Sequence, residues 1–346
     1  MPLILGIEST CDETGAAIVA DGWEVRSNVV SSQVDLHAKY RGVVPEIASR
    51  AHLQNILPVI REALQTAGIT LGQVEAVAVA HRPGLIGSLL IGVTAAKTLA
   101  WALRKPLIGV DHVHAHLYSV VLEANPRPPM PAVGLVCSGG HTALYAMRSM
   151  DEVSLIGSTR DDAVGEAYDK VAAILGLGYP GGPILDQLAQ KGDGRAVRFP
   201  RTFLERNSLD FSFSGLKTAV LYHVRGVPGK APALPNQPPT GQALADLAAS
   251  FQSACVDVLI EKLRRAADQN KSRSVIVGGG VSANTGLRQA LSRLNLPVFV
   301  PQLRYCTDNA AMTAGLAHRY LKSGQFSPLD LDAIPYSRFT EPPVSR

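Results

Sequence analysis

The first thirty residues switch between apolar runs and polar breaks in a rhythm that predicts strands. Residues 2–8 are a run, Ser9-Thr-Cys-Asp-Glu-Thr14 is a polar turn, residues 15–20 are a second run, and Asp21-Gly22 is a hairpin signal leading into residues 24–31. This pattern predicts a three-strand meander. The period then lengthens. Over residues 45–67, Ile47, Leu53, Ile56, Leu57, Ile60 and Leu64 recur at helical spacing, which predicts a long helix with one apolar stripe, kinked at Pro58. A buried strand is expected over residues 74–80.

The opening rhythm returns after residue 131. Residues 132–138, the turn Ser138-Gly-Gly-His-Thr142, a strand through Ala146 and a third strand over 153–157 repeat the first module, which predicts an internal duplication. Residues 274–277 read as a strand entering Gly278-Gly-Gly280 and then a helix capped near Ser282. Residues 225–242 are rich in proline and glycine and read as an exposed loop before a helix over 243–267. We expect a first lobe over residues 1–125, a second over 126–325 whose last helix can pack back on the first, and a tail over 326–346 that packs loosely or frays and carries no chemistry.

Composition narrows the class without naming a reaction. A chain of 346 residues, 46% hydrophobic and 18% charged, has ample core for two lobes and does not resemble a disordered chain. The net charge of +4 permits a polyanionic partner without demanding one. Cys11, Cys137, Cys255 and Cys306 are far apart and form no Cys-x-x-Cys pair, so a reducing cytoplasm is expected. The start lacks the features of a secretory signal. The near-apolar run over residues 85–103 contains Ser88, Thr94, Lys97 and Thr98 and reads as a buried helix of a soluble protein, with no membrane role.

Candidate chemistry begins at Asp111-His-Val-His-Ala-His116. A strand over residues 107–110 ends at an Asp N-cap, so His112 and His116 fall at i and i+4 on one helical face, a spacing that chelates a metal, with His114 on the other side. Two histidines need a third ligand from elsewhere. The alternative is a helix with surface histidines, but three of nine histidines lie within five residues. A zinc protease would want His-Glu-x-x-His, and Val113 occupies the glutamate position. Asp308 stands equally as a metal ligand or a helix N-cap, and Asn284 as a ligand contact or a local cap. The turns at 9–14 and 138–142 offer amides and hydroxyls to a phosphate. Asp162, Glu166 and Asp169 are expected on neighbouring helical positions, with a glycine turn through Gly181 and Gly182 nearby, beside Asp186. Lys191, Arg195, Arg198, Arg201 and Arg206, interleaved with Phe199 and Phe203, form a candidate RNA surface or a solvated face.

Taken together, Gly6-Ile-Glu-Ser-Thr-Cys-Asp-Glu-Thr14, Pro83-Gly-Leu-Ile-Gly87, His112 with His116, Ser138-Gly-Gly-His-Thr142, Gly165-Glu-Ala-Tyr-Asp-Lys170, Gly278-Gly-Gly-Val-Ser-Ala-Asn284 and Asp308 resemble the TsaD (Gcp) family over nearly the whole chain. The resemblance implies the α/β fold of actin, Hsp70 and sugar kinases, with two duplicated lobes and an interlobe cleft. It implies an acyltransferase that moves a threonylcarbamoyl group from threonylcarbamoyl-adenylate to N6 of adenosine 37 in tRNAs reading codons that start with A, releasing AMP. By position it makes His112, His116 and Asp308 ligands of one divalent metal per subunit, usually iron, with zinc also suited to the set. It makes Val136, Cys137, Ser138, Gly139, Gly140, Asp169, Gly182, Asp186 and Asn284 adenylate contacts, and sets Asp12 and Glu13 near the phosphate site. Asp12 is the candidate acceptor of the amine proton. The implied partners are tRNA, a TsaB-like paralogue, a TsaE-like ATPase and a TsaC-like enzyme that makes the donor. Where the family often has His-x-Glu-Gly-His, this chain has His114-Ala115 in the middle. An ATPase or kinase of the same fold, and more remotely a metalloendopeptidase, are the competing readings.

Overall fold

The computed structural model describes residues 1–205, 207–227 and 239–337. In chain order its strands are β1 (Leu3–Glu8), β2 (Glu13–Ala20), β3 (Glu24–Ser32), β4 (Ala76–Arg82), β5 (Leu107–Asp111), β6 (Ala132–Cys137), β7 (Thr142–Met147), β8 (Val153–Ser158), β9 (Ser274–Gly278) and β10 (Val298–Phe299). Its helices are α1 (Val34–Ala38), α2 (Pro45–Ala67), α3 (Ile86–Leu103), α4 (His112–Tyr118), α5 (Val164–Ile174), α6 (Gly181–Ala189), α7 (Ser214–Arg225), α8 (Gly241–Gln269), α9 (Thr285–Leu291) and α10 (Ala310–Lys322). The chain divides into two compact units, one of Met1–Arg127 with Pro301–Arg346 and one of Pro128–Val300. The chain therefore returns to the first unit at Pro301, and α10 belongs there.

Among the described residues each unit holds one five-stranded sheet, ordered β3-β2-β1-β4-β5 in the first and β10-β9-β6-β7-β8 in the second. Each sheet has an antiparallel meander, β1-β2-β3 or β6-β7-β8, whose first strand pairs in parallel with the next strand inward, β4 or β9. The connectivity is the same in both. The duplication expected from the repeated apolar rhythm is thus present in the fold. The pattern gave no warning of the five-residue α1 or the two-residue β10, which are too short to show a period.

In the first unit, α10 lies across β1 and β2 because glycine leaves room for it. A Cβ on Gly6 would stand 2.4 Å from the carbonyl oxygen of Ala310. The position of Asp308, two residues before α10, follows from this close packing. Helix α2 runs unbroken through Pro58, and of the expected stripe Ile56 and Ile60 are buried and Leu64 packs against the core, but Leu53 and Leu57 turn outward. Leu53 and Leu57 are 65% and 63% exposed, whereas Ala48, Ala51, His52, Ile56, Val59, Ile60 and Ala63 are buried. Small side chains face inward because α2 packs closely on β2 and α3, so leucine spacing misjudged the orientation.

Helix α3 also departs from expectation. It buries Ser88, Leu89, Gly92, Val93, Ala96 and Ala100 on one face, while Trp101 is 70% exposed, so it is half-buried. By length and composition α3 and α8 could each cross a membrane; most of the apolar window of α8 is buried, as is a third of that of α3.

The tail is docked as far as it is described, where loose packing or fraying was expected. The Ser337 hydroxyl donates to Asp111 Oδ2 at 2.8 Å, Ile334 N donates to the His81 carbonyl at 2.9 Å, and Lys97 Nζ donates to the Leu331 carbonyl at 3.0 Å. Ala333 joins the core of the first unit. Residues 338–346, and residues 228–238 of the expected exposed loop, lie outside the described residues.

Candidate functional site

In the first unit Asp111 closes β5 and caps α4, its Oδ1 accepting from Val113 N at 3.0 Å and His114 N at 3.2 Å. This cap sets the helical phase, so His112 and His116 project from one face, with ring centroids 4.5 Å apart. Asp308 faces them: its Oδ1 is 3.1 Å from His116 Nε2 and 3.5 Å from His112 Nε2. The three ligand atoms lie within 4.8 Å of one another. Both histidines are buried, which removes the reading of a helix with surface histidines. Asp308 is no cap either, because Asn309 caps α10 by accepting from Met312 N at 3.1 Å. His114 is buried and meets Tyr320 Oη at 3.2 Å through Nδ1, at the position where the family often has glutamate.

The donor set suits a divalent metal. Two imidazole nitrogens and one carboxylate, leaving positions open to water or substrate, match non-haem iron and also zinc. Burial pulls His112 down, but the carboxylates of Glu8 and Asp308 outweigh it and hold its pKa well above the ordinary imidazole value. Burial and the charge on His112 lower His116. Burial would raise Asp308, yet His112 keeps it well below the usual carboxylate range. A raised His112 pKa sets a proton in competition with a metal there, so metal affinity should fall as the pH is lowered. Chelator competition across a pH series measures this, and an affinity independent of pH would count against that competition.

Asp12 lies in the turn between β1 and β2. Burial, then the negative charge of Asp308, raises its pKa. Burial raises Glu13 further, to about 8, although Ser32 Oγ donates to it at 2.9 Å. The turn is pinned by His52 of α2, whose Nε2 donates to the Cys11 carbonyl at 3.0 Å and whose Nδ1 accepts from Thr14 Oγ1 at 2.8 Å.

In the second unit the loops after β6 and β9 converge. Ser138 N donates to the His141 carbonyl at 2.8 Å and His141 N to Ser138 Oγ at 3.1 Å, closing a tight turn. Within it Gly139 and Gly140 are exposed, and a Cβ on either, or on Gly182, would meet nothing within 4 Å. Val136 and Cys137 are fully buried, and Val136 is paired on both sides in the sheet, so neither side chain is offered to a ligand. Asp169 accepts from Gly181 N at 2.7 Å and so holds the start of α6.

Asp186 and Asn284 are brought together in one polar network. Asp186 Oδ1 accepts from Thr285 Oγ1 at 2.7 Å, Gln252 Nε2 at 3.0 Å and Asn284 Nδ2 at 3.1 Å, and Oδ2 accepts from Thr285 N at 3.1 Å. Asn284 also caps α9, accepting from Leu287 N at 2.9 Å, so it is the cap expected at Ser282. Gln252 was missed from the sequence. It lies buried in the middle of α8, where a glutamine at helical spacing gives no sign that its amide joins Asp186 to Asn284.

Two other expectations hold in part. Glu166 and Asp169 lie on α5, whereas Asp162 precedes it; Asp162 pairs with Lys170 at 2.7 Å and Lys217 at 2.8 Å, and Glu166 also pairs with Lys170, at 2.9 Å. On the candidate RNA surface, Phe199 is buried in the core, where its ring meets His223, and Phe203 packs beneath Arg265. Arg201 forms an ion pair with Asp257 at 2.9 Å. Stacking aromatics are therefore lacking there; Lys191, Arg195 and Arg198 stay exposed, and Arg206 lies outside the described residues.

The sequence profile of the TsaD family, tRNA N6-adenosine threonylcarbamoyltransferase, matches residues 24–315. A protein of that name from Moorella thermoacetica is 52% identical over 341 residues, covering 96% of each chain, and one from Symbiobacterium thermophilum is 53% identical over 337 residues, again 96% of each. Among solved structures, component A of the Acidaminococcus fermentans (R)-2-hydroxyglutaryl-CoA dehydratase superposes with a TM-score of 0.52 at 14% identity, over 93% of this chain and 100% of that one. HypF of T. kodakarensis gives 0.55 at 15% identity, over 93% of this chain and 48% of that one. Those two likenesses carry the fold alone, the α/β architecture of actin, Hsp70 and sugar kinases. With the duplicated sheets and the His112–His116–Asp308 cluster, the profile and the relatives make this chain a member of the TsaD family of tRNA N6-adenosine threonylcarbamoyltransferases.

Proposed function

We propose that this transferase moves the threonylcarbamoyl group from threonylcarbamoyl-adenylate to N6 of adenosine 37 in tRNAs that read codons beginning with A. The N6 amine attacks the carbamoyl carbon, the bond from that carbon to the phosphate oxygen breaks, AMP leaves and one amine proton is lost. The observation that carries the reading is the buried His112–His116–Asp308 cluster in a chain of this family. A divalent metal held there, iron by the family's usual assignment, supplies Lewis-acid stabilisation of developing negative charge.

The chain's own residues do the rest. Because N6 of adenosine is a poor nucleophile, most of the rate must come from holding it against the mixed anhydride. The open space at Gly139, Gly140 and Gly182, where an added Cβ would meet nothing, suits the approach of phosphate or ribose oxygens to the main chain, and the network of Asp186 and Asn284 suits hydroxyl groups. Asp12, with its raised pKa, suits an acceptor of the amine proton. The expected setting is the cytoplasm, with a TsaB-like paralogue, a TsaE-like ATPase and a TsaC-like donor-forming enzyme.

The test is transfer of radiolabelled threonine into cognate tRNA, with ATP, bicarbonate, a donor-forming enzyme and the partner proteins. Wild type should label tRNA with matching AMP release, and His112→Ala should lose most of the label. Equal labelling by His112→Ala would remove the metal from the reaction, and full labelling by Asp12→Asn would remove Asp12 from proton transfer. No labelling by wild type, in a mixture where a known relative works, would defeat the reading.

A further inference from the structure

We infer that Glu8 is a positioning residue of the metal site, fixing the tautomer and ring orientation of His112 from behind. Glu8 ends β1 and is fully buried. Its Oε2 lies 3.2 Å from His112 Nδ1, on the side of the ring away from the Nε2 that faces Asp308. A carboxylate at Nδ1 favours the proton on that nitrogen and leaves the Nε2 lone pair for a metal, as outer carboxylates do for ligating histidines. The inference rests on the reading of His112, His116 and Asp308 as metal ligands.

Glu8 is itself held at both oxygens. Oε1 accepts from Thr10 N at 3.0 Å, and Oε2 accepts from Thr313 Oγ1 at 3.2 Å. Thr10 Oγ1 adds a contact to His112 Nδ1 at 3.3 Å. The supports come from the turn after β1 and from α10, so two elements fix one carboxylate. His116 is different: its Nδ1 is buried with no hydrogen-bond partner among the described residues. Orientation by a side-chain carboxylate is thus given to one of the two histidines. A buried carboxylate in this place also has a cost that ordinary packing would avoid, since an apolar residue would fill the end of a core strand as well.

The experiment measures zinc affinity by chelator competition on the full chain, comparing wild type, Glu8→Gln, Thr313→Val and His116→Ala. Glu8→Gln should still bind one zinc per chain but about 10- to 100-fold more weakly. Thr313→Val, which removes one support and keeps the carboxylate, should show a smaller loss in the same direction. In the zinc-loaded wild type, long-range proton–nitrogen NMR should find His112 protonated at Nδ1 and ligated at Nε2. This spectrum stands even if Glu8→Gln fails to fold. Affinity unchanged in a folded Glu8→Gln, or ligation of His112 through Nδ1, overturns the role of Glu8 alone. Wild type without zinc, or His116→Ala binding as wild type does, overturns the metal site and this inference with it.

Discussion

Asp308→Ala should leave a folded protein that takes up no metal and has lost transfer activity by roughly 10²- to 10³-fold, the equivalent of about 3–4 kcal/mol of lost charge stabilisation. Asp308 Oδ1 approaches both His112 Nε2 and His116 Nε2, at 3.5 and 3.1 Å, and alanine would leave two candidate ligands where a stable site needs three. The loss should be larger than from a surface carboxylate, because Asp308 faces two buried imidazoles that water reaches poorly once the carboxylate is gone. Metal content by atomic emission reports on the site without reference to the reaction, and the melting curve controls for folding. Asp308→Asn, which keeps an oxygen without the charge, should fall between. Stoichiometric metal in Asp308→Ala would mean that another group completes the set.

The histidine pair was legible because a capped helix converts sequence spacing directly into geometry. Asp111 stops a strand and starts α4, and i, i+4 then places both rings on one face. Asp308 was legible only as one of two alternatives, since a polar residue before a helix serves equally as cap or ligand. Here the cap fell to its neighbour Asn309. Glu8 could not be found from spacing at all. It lies 104 positions from His112, and the contact exists because β1 pairs with β4, and β4 with β5, in one sheet. A glutamate ending an apolar strand is a weak hint that something must neutralise it.

The misjudged helices share a cause. Hydrophobic period locates a helix well and orients it badly when small residues make the close contacts, as on α2, where alanines face inward and two leucines face out. The tail was misread for the related reason that its anchors are mostly main-chain groups. His81, Lys97 and Gly109 hold it through the carbonyls of Asp332 and Leu331 and the hydroxyl of Ser327, which no composition rule reports. The duplication survived all of these errors. It depends on the order of strands and turns, which the apolar rhythm records, and not on which face each helix presents.

Gly279→Ala should destabilise the second unit by about 2–6 kcal/mol and weaken binding of an adenylate analogue, even though the change adds one methyl group. Gly279 follows β9 with φ 91° and ψ 161°, a region that is essentially glycine's alone and costs other residues about 1–3 kcal/mol. An added Cβ would also stand 2.4 Å from the carbonyl oxygen of Cys137, which is main chain in the neighbouring strand and cannot rotate away. Relief of that overlap, at a further cost of about 1–3 kcal/mol, must move β6 or the loop after β9. Either movement disturbs Ser138, whose carbonyl accepts from Gly165 N at 3.1 Å, and so shifts the turn that exposes Gly139 and Gly140. Denaturant unfolding followed in the second unit measures the first effect, and calorimetric titration with a non-hydrolysable adenylate measures the second. Gly139→Ala is the control for the unfolding measurement alone, because its Cβ meets nothing within 4 Å and the backbone there needs no left-handed conformation. If the two substitutions cost the same, the close approach at Cys137 is not what shapes these loops.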